Sequence, residues 1–323
     1  GHGALAEGAL VTIAHIEVRV FRAPTPAPVA TSFGVMRDRP AVFVRLTARD
    51  GAFGWGEIFA NWPSAGAEHR ARLLIEDMAD LILGAETKEA EVLGRDLTAR
   101  TRVRALQCGE PGPFAQVIAG LDTAMHDLCA RRSGLPIAKM LEPDAPASVP
   151  VYASGIAIAD APDLIEAARA RGISNFKVKI GFGTAGDLAR LCELKVGLAP
   201  PDWLFADANQ AWDKQAALDF LEKAPPLGWL EEPIPADSPA PDWAALAAAT
   251  QTPLAGGENI AGLGDFMQTI IESHLSVLQP DVAKWGGVTG CFAVARKALM
   301  AGRLYCPHFL GGGIGLMASA HLL

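Results

Sequence analysis

Six ionisable residues occur at nearly regular intervals in the second half of the sequence. Successive members are separated by 23 to 28 residues, and the set consists of Lys179, Asp207, Glu231, Glu258, Asp281 and His308. Its glutamate and aspartate carboxylates offer the oxygen ligands that Mg²⁺ prefers, while a lysine and a histidine can accept or donate protons. These residue types predict metal-assisted proton transfer, provided that the fold brings them together.

The interval between these residues matches one strand, one helix and their two connecting loops. After residue 143, short apolar segments alternate with Ala- and Leu-rich segments of helical periodicity, which is typical of βα units and a parallel sheet. A (β/α)₈ barrel of about 250 residues uses about 30 residues per unit, and its active site lies at the carboxyl ends of the strands. We therefore predict a barrel that presents one ionisable side chain on each of six strands. Ordinary charged residues at loop edges are the alternative, which the regular spacing disfavours.

Two lysines lie in one apolar strand, at 176–180. Lys177 and Lys179 are two residues apart, so both side chains face the same side of the strand. Two nearby ammonium groups disfavour each other, and we expect the pKa of at least one of them to fall toward the range that suits a base. The alternative, two solvated lysines on an edge strand, is disfavoured by the flanking Phe176 and Ile180.

The three carboxylates occur on successive predicted strands. Asp207, Glu231 and Glu258 would repel one another in a barrel mouth, and a hard divalent ion such as Mg²⁺ would relieve that repulsion. Asn209 shares a face with Asp207, whereas strand alternation turns Glu232 away from Glu231. We interpret Asn209 and Glu232 as residues that support the site.

The last two members of the set form a second proton-handling group. A histidine paired with a carboxylate, such as His308 with Asp281, is oriented and made more basic. Strands 2 and 7 of a barrel lie across its mouth, so we expect His308 and Lys179 to act from opposite sides. Lys284 either contacts substrate or braces Asp281, and the sequence leaves both roles open.

The first part of the sequence predicts a separate α+β domain. Strand-forming residues dominate 11–57, helical periodicity begins near residue 68, and 114–132 is a strong helix candidate. We place this domain at 11–143 and the barrel at 144–323. Residues 1–10 resemble a cloning remnant or a disordered start more than a signal peptide.

Two segments of the first domain are candidates to select the substrate. The Pro-rich stretch at 23–28 predicts a surface loop, because proline does not fit a central strand. The loops at 23–39 and 59–66 supply four candidate lining residues, for each of which packing in the core or exposure is an equally good interpretation. These residues are Phe33, Met36, Phe59 and Trp62.

Composition excludes several classes of protein. Half of the residues are hydrophobic and a fifth are charged, which excludes a mainly disordered chain and a coiled coil. The net charge of −8 disfavours nucleic-acid binding, and no apolar run reaches the roughly 18 residues of a membrane span. Five scattered cysteines without a C-x-x-C pair favour a reduced, cytoplasmic setting.

The ordered motifs together resemble the enolase superfamily, specifically its mandelate racemase subgroup. The resembling segments are FKVK at 176–179, DANQ at 207–210, WLEEP at 229–233, GGEN at 256–259, PD at 280–281 with Lys284, PH at 307–308, and GWGE at 54–57. The resemblance implies an α/β fold with a TIM-type (β/α)₇β barrel beneath an N-terminal α+β capping domain. Counting strands from residue 149 makes His308 the end of strand 7, so we expect the eighth strand to be missing from these 323 residues.

The resemblance also implies roles for the site residues. The residues that would bind Mg²⁺ are Asp207, Glu231 and Glu258. Lys179 would be the base on one face, His308 with Asp281 the acid or base on the other, and Lys177 would hold the substrate carboxylate. A muconate lactonising enzyme would instead use a lysine on the sixth strand, and Asp281 with His308 points away from that subgroup.

The implied reaction is Mg²⁺-dependent removal of the α-proton of a small carboxylate through an enediolate. We favour dehydration of an acid sugar to a 2-keto-3-deoxy acid, with racemisation or epimerisation of a 2-hydroxy acid as the alternative. Two other classes stay open: a Schiff-base aldolase built on Lys179, and a catalytically silent barrel that binds ligand. We further expect a homo-oligomer that binds neither nucleic acid nor membrane.

Overall fold

The computed structural model describes residues 10–31, 34–87, 89–198, 200–272 and 274–323. Its first part contains a four-stranded antiparallel sheet with helices, and its second part contains a seven-stranded parallel sheet with helices between the strands. Phe33, one of the candidate lining residues, lies outside the described residues.

The antiparallel sheet has the strand order β3-β2-β1-β4. The strands are β1 Val11–Thr31, β2 Gly34–Ala48, β3 Phe53–Ile58 and β4 Glu86–Thr87. The helices are α1 Gly66–Arg72, a π-helix Leu73–Met78, α2 Ala79–Ile82, α3 Ala90–Gln107, α4 Pro111–Ser133 and α5 Ile137–Leu141. Alternate residues of β2, such as Val42, Val44 and Leu46, are buried in the core shared with α4, as a sheet covered on one face requires.

The Pro-rich segment at 23–28 is not the surface loop that its composition predicts. It belongs to the hairpin of β1 and β2, in which Pro24 still opposes Asp38 and a register shift follows before Val29. The fourth strand pairs only with Val11 and Thr12, so this part of β1 lies at an edge of the described sheet. Proline is tolerated there because an edge strand does not need every N–H for pairing.

The parallel sheet runs in simple chain order from β5 to β11. Its strands are β5 Ala153–Ala157, β6 Asn175–Lys179, β7 Trp203–Asp207, β8 Leu230–Glu231, β9 Leu254–Gly256, β10 Val277–Leu278 and β11 Leu304–Tyr305. The intervening and following helices are α6 Ala161–Arg169, α7 Thr184–Val196, α8 Lys214–Lys223, α9 Ala240–Ala249, α10 Leu263–Glu272, α11 Gly287–Met300 and α12 Gly313–His321. This βα succession confirms the predicted TIM-type α/β class.

Two apolar layers cover the two sides of the parallel strands. Phe176 and Leu204 belong to the large layer between strands and helices. On the other face, Phe205 and Trp229 stack at 3.7 Å between ring centroids and fill the interior together with Val277. Since i and i+2 share a face of a strand, the residues that follow Phe205 and Trp229 by two positions, Asp207 and Glu231, lie directly above this interior layer.

The first part also contacts the parallel-sheet part through helix α4. Asp122 of α4 accepts hydrogen bonds from the backbone N–H and the hydroxyl of Thr289 in α11, at 3.0 and 2.6 Å. These bonds hold the amino end of α11 against α4. None of the described helices combines the length and the apolar character needed to cross a bilayer.

Candidate active site

The strand register gathers the predicted site residues at one end of the parallel sheet. Lys179 is the cross-strand partner of Asp207, and Asp207 is the partner of Glu231. At the other side of the sheet, Asp281 and His308 form an isolated parallel bridge. Since all these strands are parallel, their carboxyl ends share one edge, and the site is assembled there.

Lys179 lies among oxygen atoms of β7 and the loop that follows it. Its Nζ donates to Asp207 Oδ2 at 3.1 Å and to Asn209 Oδ1 at 2.5 Å. Asn209 also donates its backbone N–H to Asp207 Oδ1 at 2.9 Å, and its φ of 46° turns the chain sharply after the strand. The ammonium group is thereby placed at the strand ends, with its side chain 23% exposed.

Lys177 is buried below Lys179 and pairs with a different carboxylate. Its Nζ donates to Glu231 Oε1 at 2.6 Å. Burial lowers the pKa of Lys177, but the negative charge of Glu231 and its neighbours outweighs burial and raises that pKa well above the ordinary range. The expected fall in pKa therefore does not hold for Lys177, because a buried ion pair replaces the assumed repulsion between two ammonium groups.

Glu231 is held on both of its oxygen atoms. Besides Lys177 at Oε1, Trp229 Nε1 and Gln279 Nε2 donate to Oε2 at 3.2 and 2.7 Å. Gln279 was not predicted as a site residue, although it precedes Asp281 by two residues in the segment that follows β10. Trp229 precedes Glu231 in the same way. Two-residue periodicity was the available signal for both.

His308 bridges two carboxylates. Its Nδ1 lies 2.8 Å from Asp281 Oδ2 and its Nε2 lies 2.5 Å from Glu258 Oε2. Burial lowers the pKa of His308, but the charge of Glu258 and the bonds to Asp281 and Glu258 more than compensate and raise it to about 9. The imidazole is therefore protonated at neutral pH in this arrangement and can act as an acid.

Lys284 braces the site from the loop after β10. Its Nζ lies 3.5 Å from Glu258 Oε1 and donates to Asn259 Oδ1 at 3.1 Å, while its backbone N–H donates to Asp281 Oδ1 at 3.2 Å. The sequence left open whether Lys284 contacts substrate or supports Asp281, and the structure shows its backbone N–H bonded to Asp281. The side chain serves Glu258 and Asn259.

Glu232 follows β8 with a φ of 38° and is buried. Asn259 Nδ2 donates to both of its carboxylate oxygens, at 2.9 and 3.1 Å. Burial is the largest cause that raises the pKa of Glu232, and the negative charge of Glu258 raises it further, to about 8. Glu231 and Glu232 thus engage different partners, and Glu232 lies within the electrostatic field of the site.

The candidate lining residues divide into three groups. Phe59 lies next to the site, with Lys284 Nζ 4.9 Å from its ring centroid. Trp62 packs with its ring against Gly34 at the start of β2, and Met36 of the same strand is buried. Phe33 is not described. Phe59 is therefore placed against another predicted site residue.

The donor chemistry of the site suits a hard divalent cation. Asp207, Glu231 and Glu258 follow three neighbouring strands, are buried or nearly so, and offer only oxygen. Burial is the largest cause that raises the pKa of Glu231, and the negative charge of Asp207 also raises it. The two carboxylates therefore interact electrostatically. Within the described part of the chain, no three acidic, histidine or cysteine side chains are already arranged around a common point for a metal ion. Lysine and histidine side chains engage these oxygens instead.

The fold and the site define a capped α/β barrel with acidic, lysine and histidine groups at the carboxyl ends of its strands. Residues 15–142 match the family model "Mandelate racemase / muconate lactonizing enzyme, N-terminal domain", and residues 160–323 match "Enolase C-terminal domain-like". The chain belongs to the mandelate racemase/muconate lactonizing enzyme family of the enolase superfamily. This confirms the resemblance inferred from the motifs.

Two relatives of this chain have names that refer to sugar acids or their lactones. The L-talarate/galactarate dehydratase of Salmonella typhimurium (strain LT2) is 30% identical over 83% of this chain and 67% of its own length. The D-galactarolactone cycloisomerase of Agrobacterium fabrum (strain C58) is 26% identical over 88% of this chain and 75% of its own length.

Solved structures extend the similarity across nearly the whole chain. A mandelate racemase/muconate lactonizing enzyme from Bordetella bronchiseptica RB50 is 46% identical with a TM-score of 0.91, covering 97% of this chain and 84% of its own. A racemase from Streptomyces coelicolor A3(2) with bound magnesium is 27% identical with a TM-score of 0.84, covering 96% and 86%. This protein is thus an enolase-superfamily enzyme.

Proposed function

We propose that this enzyme removes the α-proton of a small carboxylate substrate, and that its reaction is the dehydration of an acid sugar to a 2-keto-3-deoxy acid. The observation that supports this is the placement of two proton-handling groups around the carboxylates. Lys179 ends β6, Asp281 and His308 follow β10 and β11, and the three carboxylates lie at the ends of the strands between them. A substrate bound above the carboxylates would then meet a proton acceptor and a proton donor on different sides.

The carboxylates Asp207, Glu231 and Glu258 are the residues that would hold Mg²⁺. When bound, this ion supplies the positive charge that stabilises an enediolate. The presence of magnesium in the Streptomyces coelicolor racemase structure supports this assignment. Lys177 adds a permanently charged ammonium group below the same point, where it would bind the substrate carboxylate.

The reaction begins with transfer of the α-proton to the neutral amine of Lys179, so the ammonium group that donates to Asp207 and Asn209 must first lose a proton. The electron pair left on the α-carbon is delocalised onto the substrate carboxylate, which forms the enediolate. Protonated His308 then donates its proton to the leaving 3-hydroxyl, the C–O bond breaks, and water departs. The resulting enol takes up a proton at C3 and releases the proton of its 2-hydroxyl, which gives the 2-keto-3-deoxy acid. Asp281 keeps the His308 ring oriented throughout by holding Nδ1 at 2.8 Å.

Racemisation or epimerisation of a 2-hydroxy acid is the second candidate. The same His308 proton would then go to the α-carbon from the opposite face, with no loss of water. The magnesium-bound racemase at 27% identity supports this alternative. We favour dehydration because the dehydratase relative is 30% identical to this chain.

The test is a screen of mono- and diacid sugars and 2-hydroxy acids with Mg²⁺ in D₂O, read for keto-acid formation and for deuterium at the α-carbon. Keto-acid formation supports dehydration, whereas α-deuteration with inversion and no keto acid supports racemisation. Lys179→Ala and His308→Asn are expected to abolish turnover while the circular dichroism spectrum is unchanged. Lys214→Ala and His321→Asn are matched controls outside the site. Full activity in both site variants would disprove the assignment.

The remaining alternatives are distinguished by separate measurements. A Schiff-base aldolase on Lys179 would be trapped by borohydride in the presence of substrate and would tolerate a chelator. A silent binding protein would be stabilised by a sugar acid without any α-deuteration. Light scattering on the purified protein tests the expected homo-oligomer.

A further inference from the structure

A buried carboxylate of the first domain contacts the chain just beyond His308. Glu57 of β3 is only 3% exposed, and its two oxygens accept the backbone N–H groups of Gly312 and Gly315, the second at 2.8 Å. Gly315 lies in the first turn of α12, where the unpaired N–H groups of a helix favour an anion. Burial raises the pKa of Glu57, and the two backbone bonds oppose that rise. These bonds give the carboxylate partners in the interior.

Two more residues from the same segment of the first domain reach the loops that carry the proton donor. Asn61 Nδ2 donates to the carbonyl of Leu310, two residues after His308, at 2.6 Å. The backbone N–H of Phe59 donates to the carbonyl of Ala283, at 3.3 Å, in the loop that follows Asp281. Residues 57, 59 and 61 thus form hydrogen bonds with the two loops that follow His308 and Asp281.

The contact around Glu57 leaves little room for the loop to move. A Cβ atom added at Gly311 would lie 2.5 Å from Glu57 Oε1, and one added at Gly312 would lie 2.7 Å from the ring of Phe43 on β2. The glycines at 311 and 312 therefore let the backbone approach the cap closely. A side chain at either position would push the loop away from Glu57.

We propose that Glu57 is a positioning residue that fixes the loop following His308, so that the imidazole is held at Asp281 in the orientation needed for proton donation. This inference rests on the proposed role of His308 as the proton donor. It differs from a purely structural role for Glu57, which would stabilise the join between the domains without affecting the imidazole. Glu57 itself contacts neither the carboxylates nor the lysines of the site in any described hydrogen bond.

The test compares three variants of the full-length enzyme. Glu57→Gln keeps the size but offers an NH₂ group to one of the two backbone N–H donors, and Glu57→Asp keeps the charge at a shorter reach. Asp127→Asn is the matched control, because Asp127 accepts the backbone N–H of Trp55 on the same strand at 2.8 Å without touching the loop after His308. We expect kcat of Glu57→Gln to fall about 10- to 100-fold with KM within about threefold, and Glu57→Asp to recover part of the loss. Asp127→Asn should keep the kcat of the wild type.

A second readout does not depend on turnover. In protein labelled with ¹⁵N-histidine, the imidazole signal that disappears in His308→Asn identifies His308. We expect this signal to change in Glu57→Gln and to be unaltered in Asp127→Asn, at matched pH and with unchanged circular dichroism. If Glu57→Gln does not fold, Glu57→Asp provides the same comparison with a smaller expected effect.

The outcomes separate this inference from the proposed function. An unchanged His308 signal together with wild-type kcat in Glu57→Gln overturns the inference. An altered His308 signal in a protein that turns over none of the acids supports the positioning role and counts against the proposed reaction. A loss of kcat with an unchanged His308 signal assigns Glu57 a role in the domain contact alone, and also overturns the inference.

Discussion

Replacing Glu232 by Gln is expected to stabilise the metal-free protein at high pH. The pKa of Glu232 is raised from the ordinary 4.5 to about 8, by burial and by the charge of Glu258. Between these two values the native state keeps a proton that the unfolded state has released. The free energy of unfolding of the wild type therefore falls as pH rises through this window. Gln has no proton to lose, so this fall is absent in the variant.

The size of the effect follows from the same two pKa values. At about 1.4 kcal/mol for each pH unit, the difference between 4.5 and about 8 corresponds to about 5 kcal/mol at full ionisation. This is an upper bound, because water entry and side-chain relaxation around the ionised carboxylate reduce it. Glu232→Gln should match the wild type below pH 4.5, gain stability steadily above it, and reach its full advantage above pH 8.

Urea denaturation in EDTA at pH 5, 7 and 9, followed by tryptophan fluorescence and circular dichroism, measures this difference. Glu222→Gln, at an exposed position on α8, is the matched control and should follow the wild type at each pH. Added Mg²⁺ should shrink the difference, because a cation at Glu258 would offset the charge that acts on Glu232. An advantage of Glu232→Gln that is absent, or equal at all three pH values, would refute the reasoning.

Three further outcomes follow from individual contacts. Gly56→Ala should lower the free energy of unfolding in urea by about 3 kcal/mol, because the added Cβ would lie 1.9 Å from a backbone oxygen of α4. The control Gly112→Ala, in open space on α4, should not lower it. Asp281→Asn should reduce kcat about 10- to 100-fold and lower the pKa of His308, seen as a shifted limb of the pH–rate profile, and an unchanged profile would contradict the pairing. Lys177→Met should lower the free energy of unfolding by about 3–5 kcal/mol in the same denaturation assay at pH 7, because it leaves the Glu231 carboxylate buried without its cation. The double variant with Glu231→Gln should recover most of that loss.

The regular spacing of the ionisable residues was sufficient to predict the barrel, whereas the capping position of the first domain was inferred from the family resemblance. Alternation between short apolar strands and amphipathic helices is a local property, and a parallel βα sheet is the arrangement that satisfies it. Once that arrangement is accepted, residues at the ends of successive strands must share one edge of the sheet. The order from Lys179 to His308 along that edge therefore follows from the order in the chain.

The partners of each charged side chain were decided by the tertiary structure. Two-residue periodicity places Lys177 and Lys179 on one face of the strand. Because they are buried to different depths, Lys177 pairs with Glu231 and Lys179 pairs with Asp207. Depth depends on strand register and on the aromatic layer beneath, neither of which is visible along a single strand. The expected fall in the pKa of a lysine failed at Lys177 for that reason.

The contact between the first domain and the loop after His308 was likewise not predicted from the sequence. Pairing along an edge kept the Pro-rich segment in a hairpin, although local propensity predicted a loop. Glu57 contacts Gly312 and Gly315 across more than 250 positions of chain. The sequence by itself determined which chemical groups the barrel presents and in what order, because those depend on local periodicity. Which groups touch, and how far each is buried, depended on packing between distant segments, and only the tertiary structure decided it.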